Sequence, residues 1–290
     1  MMLWIWITLG AAAVQTLRFM LQKKLSSSGL SVGGATFSRF LFGAPIAAAV
    51  ALVFAGPVPM PSARFWAFAL LGGAAQVAGT FLTVSLFKLR NFAVGIAFTK
   101  TETVQVALML LLILGETVSG LGWLGIAVGL AGVLALSRTP SGFSARATVY
   151  GVAAGGLLGL SSICYRGATL DLMPAGYFTR AIVTLACVTA AQTVGMALYL
   201  RLREPGELGR VLHSWRRTVW VGVTGIAGSA GWFTAFALQN AAYVRALGQV
   251  EMVFTLLVSA LVFHERLSRR EGIGIALVVL ALVLVVLGGR

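Results

Sequence analysis

Apolar residues run along the chain in long, nearly uninterrupted stretches separated by short polar breaks. A helix needs roughly 20 mainly apolar residues to cross a hydrocarbon core of about 30 Å. Ten stretches of that kind can be drawn, at 2–21, 31–55, 65–87, 92–114, 119–137, 148–167, 175–200, 217–238, 243–263 and 271–288. The breaks have loop chemistry. Gly56-Pro57-Val58-Pro59-Met60-Pro61-Ser62 is a Pro-rich turn, Ser137 to Ala147 a polar connector, and Arg201 to Arg217 a longer charged loop. Strands of a lipid-facing barrel would alternate apolar and polar positions. These runs are continuously apolar, so the pattern predicts helices.

Composition agrees with that picture. Of 290 residues, 59% are hydrophobic and only 10% charged, whereas a soluble domain carries about 25% charged residues. A water-facing surface cannot be built from so few charges, so the chain reads as an all-α integral membrane protein. The net charge of +14 raises nucleic acid as a partner. However, the basic residues punctuate the apolar runs instead of forming one patch, as orientation signals do, and no nucleic-acid role is read. Cys164 and Cys187 both lie inside apolar runs, so no disulfide framework is expected. The opening Met1-Met2-Leu3-Trp4 lacks the basic region of a cleaved signal and is read as part of the first helix.

An internal repeat organises the chain. Glu102 and Glu251 are 149 residues apart, as are Glu116 and Glu265. The same shift superposes Gly79 on Gly228, Phe87 on Phe236, Asn91 on Asn240, Ala97 on Ala246, Val104 on Val253 and Gly125 on Gly274. Arg39 in Ala-Thr-Phe-Ser-Arg likewise matches Arg180 in Gly-Tyr-Phe-Thr-Arg. The expected units are residues 1–140 and 141–290, each with five spans. Five is odd, so the second copy must sit upside down relative to the first. Inverted repeats around a midplane site are typical of secondary transporters.

Two five-helix copies, each with a Glu-containing element before a Gly-rich last helix, resemble the EamA-type transporters of the drug/metabolite transporter superfamily. The matching segments are LLLILGETVSGLGWLGIAVGLAG (111–132) and LVSALVFHERLSRREGIGIALVV (257–279). Where that family often carries Glu-Pro in its fourth and ninth helices, this chain has Thr103 and Met252 after the glutamates. The resemblance implies alternating access around a cavity bounded by helices one to four and six to nine, with the fifth and tenth peripheral. It also implies export.

Charges placed deep in lipid are expensive, at about 2.5–3.5 kcal/mol each on insertion scales, so buried ionisable residues mark candidate chemistry. Glu102 and Glu251 stand near the middle of repeat-related spans. Residues three and four apart share a helix face, which gathers polar stripes at Thr99/Glu102, at Gln76/Thr80/Thr83 and at Gln15/Arg18/Gln22. The expected cavity set is Glu102, Glu251, Lys100, Arg39, Gln76, Gln15, Arg18, Tyr165, Arg180, Trp232, Phe236 and Gln249. In it the glutamates act as a gate or proton-coupling pair and the rings line a pocket. The plainer reading locks each glutamate in a static pair with Arg39, Lys100, Arg180 or Arg245. Arg18, Arg166 and Arg180 lie close enough to helix ends to snorkel. For Glu116 and Glu265 the expectation is capping or pairing with Arg266 or Arg269. The G-x-x-x-G spacings at Gly125/Gly129, Gly151/Gly155 and Gly155/Gly159 suit close helix packing within the bundle.

Enzyme signatures such as H-E-x-x-H, G-x-S-x-G and the P-loop are missing, so no enzyme, metal or cofactor is expected and transport would be gradient-driven or passive. The reading is a small-molecule transporter, monomer or homodimer, among the lipids of a bacterial inner membrane. Its mixed Glu, Lys and Arg suit an amino-acid-like solute. A lipid or lipid-precursor translocator is the alternative. Lysines and arginines crowd the loops on the side opposite both termini, which by the positive-inside rule puts the termini outside; the resemblance implies that they lie inside.

Overall fold

The structure, a computed structural model, describes residues 3–26, 29–89, 99, 101–136, 145–262 and 269–289. All regular structure among them is helical. In the first half α1 spans Leu3–Ser26, α2 Val32–Phe54, α3 Ala63–Leu89, α4 Glu102–Leu114 and α5 Gly120–Leu136. In the second, α6 spans Ala145–Asp171, α7 Tyr177–Arg203, α8 Glu207–His213, α9 Trp215–Leu238, α10 Ala241–Leu247, α11 Val250–Val262 and α12 Arg269–Gly288. Among the described residues, six helices are long and apolar enough to cross a membrane, and Glu102–Leu114, Gly120–Ala135 and Gly272–Gly288 are shorter apolar helices. Leu52 and Leu112 stand almost fully exposed on the outer wall, as a surface solvated by lipid permits.

The two halves interlock more than they pack within themselves. The broadest contacts are α5 with α12, α3 with α6, α1 with α9, α2 with α9 and α2 with α7. Under the repeat, α3–α6 and α1–α9 exchange, while α5–α12 and α2–α7 map onto themselves. Helix direction follows the inversion. At one face α2 ends beside the start of α7, where the Gly56 N–H donates to Thr179 Oγ1 at 3.4 Å, and Ser62 Oγ donates to Asp171 Oδ2 at 2.7 Å. At the other face α2 begins where α7 ends: the Ser31 N–H donates to Glu207 Oε1 at 2.6 Å, and its hydroxyl to Glu204. Carboxylates are well placed there, because a helix N-terminus carries partial positive charge.

Three expectations are corrected. The 201–217 segment is not simply a loop, since it holds α8, whose Glu207 is fully buried against the start of α2. The first helix runs to Ser26, five residues past the end of its apolar stretch, because the lysine stems of its last turn can lie along apolar surface. The ninth stretch is not one helix. It breaks at Gly248-Gln249 into α10 and α11, where the Glu251 N–H donates to Gly248 O and the Met252 N–H to Gln249 O, in tight turns of three residues.

Candidate functional site

The break puts Glu251 in the first turn of α11, and Glu102 opens α4 in the same way. At 13 residues, α4 is about 20 Å long, too short to span alone. Discontinuous spans with helix N-termini at membrane depth are how transporters present ion and solute sites. Both glutamates are buried, at 5% and 1% exposure. Gly155 of α6 sets the position of Glu102: a Cβ there would stand 2.7 Å from Thr99 O and 3.1 Å from Glu102 N. Only a glycine allows α6 to lie directly on the backbone that leads into α4.

Around Glu102 lies a central void lined by Gln15, Arg18, Phe19, Arg39, Gln76, Thr99, Leu158, Tyr165, Ser229, Trp232, Phe233, Phe236 and Arg245. Its volume is about 20 Å³, room for roughly one water, so the site is closed around almost nothing. Glu102 Oε1 meets Arg245 Nε at 2.8 Å. Arg245 also donates to Ser162 Oγ at 2.6 Å and lies 4.8 Å and 5.4 Å from the ring centres of Trp232 and Phe236. Trp232 and Phe236 stack at 6.1 Å. Glu251 accepts from Gln15 Nε2 at 3.2 Å. Arg39 donates to Ser229 Oγ at 3.0 Å and Thr80 Oγ1 at 3.4 Å, and Arg18 to Gln22 Oε1 at 2.7 Å.

Of the expected set, Gln15, Arg18, Arg39, Gln76, Glu102, Tyr165, Trp232 and Phe236 line the void, and Glu251 reaches it through Gln15. Arg18 does not snorkel. It is 3% exposed, because the longer α1 carries it well inside the membrane-crossing part. Two candidates sit elsewhere. Gln249 donates to Thr103 Oγ1 at 2.9 Å, joining the break before α11 to the first turn of α4. Arg180 donates to Thr169 O and Ala237 O, covering the last carbonyls of α6 and α9. Beside it, Arg166 pairs with Glu116 at 3.0 Å and donates to Phe236 O at 2.7 Å, so Arg166 is the Glu116 partner among the described residues. Lys100, Glu265 and Arg266 lie outside the described residues.

Gln192 was not expected. Its Nε2 donates to Gln76 Oε1 at 2.9 Å and Gly73 O at 3.0 Å, and Tyr165 Oη donates to Gln76 Oε1 at 3.0 Å. The only signal in the sequence is a lone amide within an apolar run. Gln192 also floors a larger, apolar cavity of about 670 Å³ between α3 and α7, walled by Leu70, Ala74, Phe81, Met196 and Tyr199. That cavity is bigger than the central void but holds no charged group. Exposed Leu70 and Tyr199 put its mouth on the lipid-facing flank, so the charged chemistry singles out the smaller void.

The sequence profile of the EamA-like transporter family matches residues 2–138 and 148–287. A solved crystal structure shares the fold with a TM-score of 0.73 over 98% of this chain and 97% of its own, at 17% identity. No match is found among curated protein sequences.

Proposed function

The chain belongs to the EamA-like transporter family of the drug/metabolite transporter superfamily, and from that premise we propose that it moves a small polar or amphipathic, amino-acid-like metabolite by alternating access, with export the favoured direction. The observation that carries this reading is the convergence of ionisable and aromatic side chains from both halves, on α1, α2, α4, α9 and α10, at one buried void. Charges are held in lipid at a cost, and a solute that must pass between the halves gives them a use. In the present conformation the void admits no solute, so the halves must separate on one side to load it. Glu102 and Glu251, each in the first turn of a half-helix, are the candidates for proton coupling. Both termini are proposed to lie outside a bacterial inner membrane, on the loop-charge bias.

Proteoliposomes loaded with an unlabelled amino-acid mixture should accumulate labelled amino acids by counterflow. The activity should be lost in Glu251→Gln and Arg39→Gln variants that retain the wild-type elution profile. Wild-type vesicles no faster than protein-free ones would overturn the reading. A lipid or lipid-precursor translocator is the second reading, favoured by the apolar α3–α7 cavity that meets the polar interior at Gln192. If headgroup-labelled lipid equilibrates between leaflets in the same vesicles while amino acids do not, this second reading replaces the first.

A further inference from the structure

Arg18 and Arg39 belong to different helices of the first half, yet their side chains converge over Gly225 of α9. A Cβ built on Gly225 would stand 2.9 Å from Arg39 Cγ and 3.5 Å from Arg18 Cδ. The two guanidiniums are 3% and 5% exposed as residues. Among the described residues neither has a carboxylate within ion-pair distance; their hydrogen-bond partners are Gln22, Thr80 and Ser229, all neutral, while Glu251 acts on Arg18 electrostatically from farther off. Arg245 brings a third cation to the same void but is matched by Glu102. Glu251 adds one more negative charge beside Gln15. The described wall therefore carries three positive and two negative side chains. Two neighbouring like charges in low dielectric repel strongly, and buried charges persist where something pairs with them.

A second observation points into the same space. Trp232, 5% exposed, lines the void, and its indole Nε1–H has no hydrogen-bond partner among the described residues. A buried donor left unpaired costs free energy that an incoming acceptor returns. Stacked rings line the same void. Trp232 stacks on Phe236, and Phe233 on Tyr165 with centroids 4.2 Å apart.

Resting on the transporter reading above, we infer that the cavity selects a net-anionic organic carboxylate with a flat apolar body: Arg18 and Arg39 take the carboxylate, Trp232 Nε1–H adds a donor, and the rings hold the body. An ammonium group is not required. Charge-assisted bonds supply the affinity, and the guanidinium fork suits a carboxylate better than any neutral amide. The void must widen to admit such a ligand, so binding and opening are one event.

The test uses the full-length protein, titrated calorimetrically with phenylacetate, phenylacetamide, phenethylamine and L-phenylalanine. Phenylacetate should bind at least about tenfold more tightly than phenylacetamide, and no more weakly than phenylalanine. Phenethylamine should not compete. Arg39→Gln should erase the preference of acid over amide, and Arg39→Lys should restore part of it. Trp232→Phe, which keeps a ring but removes the N–H, should weaken the acid and leave the amide unchanged. The inference is overturned if amide and acid bind alike, if neither binds, or if phenylalanine binds about tenfold more tightly than phenylacetate. It is also overturned if chloride at equal concentration competes as well as phenylacetate, which would make this a site for small inorganic anions. Amino-acid counterflow is measured on the same preparation, so the anion inference can fail while the transporter reading stands, and the reverse.

Discussion

The pair Glu102–Arg245 offers the sharpest test of whether the buried charges are scaffold or machinery. Its side chains are 7% and 10% exposed and its contact is 2.8 Å, so solvent screens it little. Removing one member of a buried pair costs about 3–5 kcal/mol, chiefly because the other charge loses its partner. In Glu102→Gln, Arg245 keeps Ser162 Oγ and the two ring faces, and those faces retain about 1–2 kcal/mol of the attraction. The loss should therefore fall near the low end, about 3 kcal/mol. Arg245→Met takes the cation away from a buried carboxylate and should cost more, about 4 kcal/mol. The double variant removes both charges together. Its loss should be smaller than the sum of the singles by about 2 kcal/mol or more. Equilibrium unfolding in mixed micelles measures each term. Losses that add to within about 0.5 kcal/mol would show that the two groups are not coupled and refute the reasoning. The same double variant decides the second question. If the pair also works in the transport cycle, counterflow stays lost although stability returns.

Two further outcomes follow from the packing and the topology. Gly155→Ala should destabilise by about 1 kcal/mol, the overpacking cost less the usual helix gain of alanine, and should shrink the Glu102–Arg245 coupling; Gly10→Ala in α1, where nothing stands within 4 Å, should instead be neutral or stabilising, and equal effects at the two sites would contradict the backbone contact. For orientation, Leu3 and Gly289 lie on the face that carries Met60, which is 93% exposed, while exposed His213 lies on the opposite face. With Cys164 and Cys187 replaced by alanine, Met60→Cys should react with an impermeant maleimide on intact cells and His213→Cys should not; the reverse pattern would put the termini inside.

How far the sequence could be read depended on which forces leave a local trace. The spans were legible because each segment must satisfy its own backbone in lipid, which demands long apolar runs. The repeat was legible because it is written in register, Glu102 on Glu251 and Asn91 on Asn240. Glu102, Glu251, Arg39 and Gln76 stood out because polar groups are rare at that depth. The break at Gly248-Gln249 left no such trace, since hydropathy is blind to a switch from four-residue to three-residue hydrogen bonding within an apolar run. Arg18 was misjudged for a related reason. Gln22, Lys23 and Lys24 look like the end of a span, yet the helix continues through them to Ser26. Gln192 was missed because its meaning is wholly non-local: it matters only through Gln76 and Tyr165, more than 25 residues away in sequence on other helices. Arg180 donates to Thr169 O and Ala237 O away from the void, and the sequence could not show this, because a carbonyl-covering arginine and a cavity-lining one share the same local signature.

The departure from symmetry at the glutamates carries the last step. An inverted repeat can exchange the conformations of its two halves, and equivalent residues would then exchange partners. Glu102 and Glu251 cannot do so. Glu102 is held by Arg245, and the position equivalent to Arg245 in the first half is Ile96, which carries no charge. Glu251 meets Gln15 of α1, whereas Glu102 is the one that lines the void directly. The difference between the two carboxylates is thus written in the amino acids and survives any exchange of conformations. Whatever the cycle asks of them, it asks two different things: Glu102 works within an ion pair that also orders Trp232 and Phe236, while Glu251 accepts from Gln15 and acts on Arg18 electrostatically, without an ion-pair contact to it. A coupling step that required two interchangeable carboxylates would be at odds with this chain.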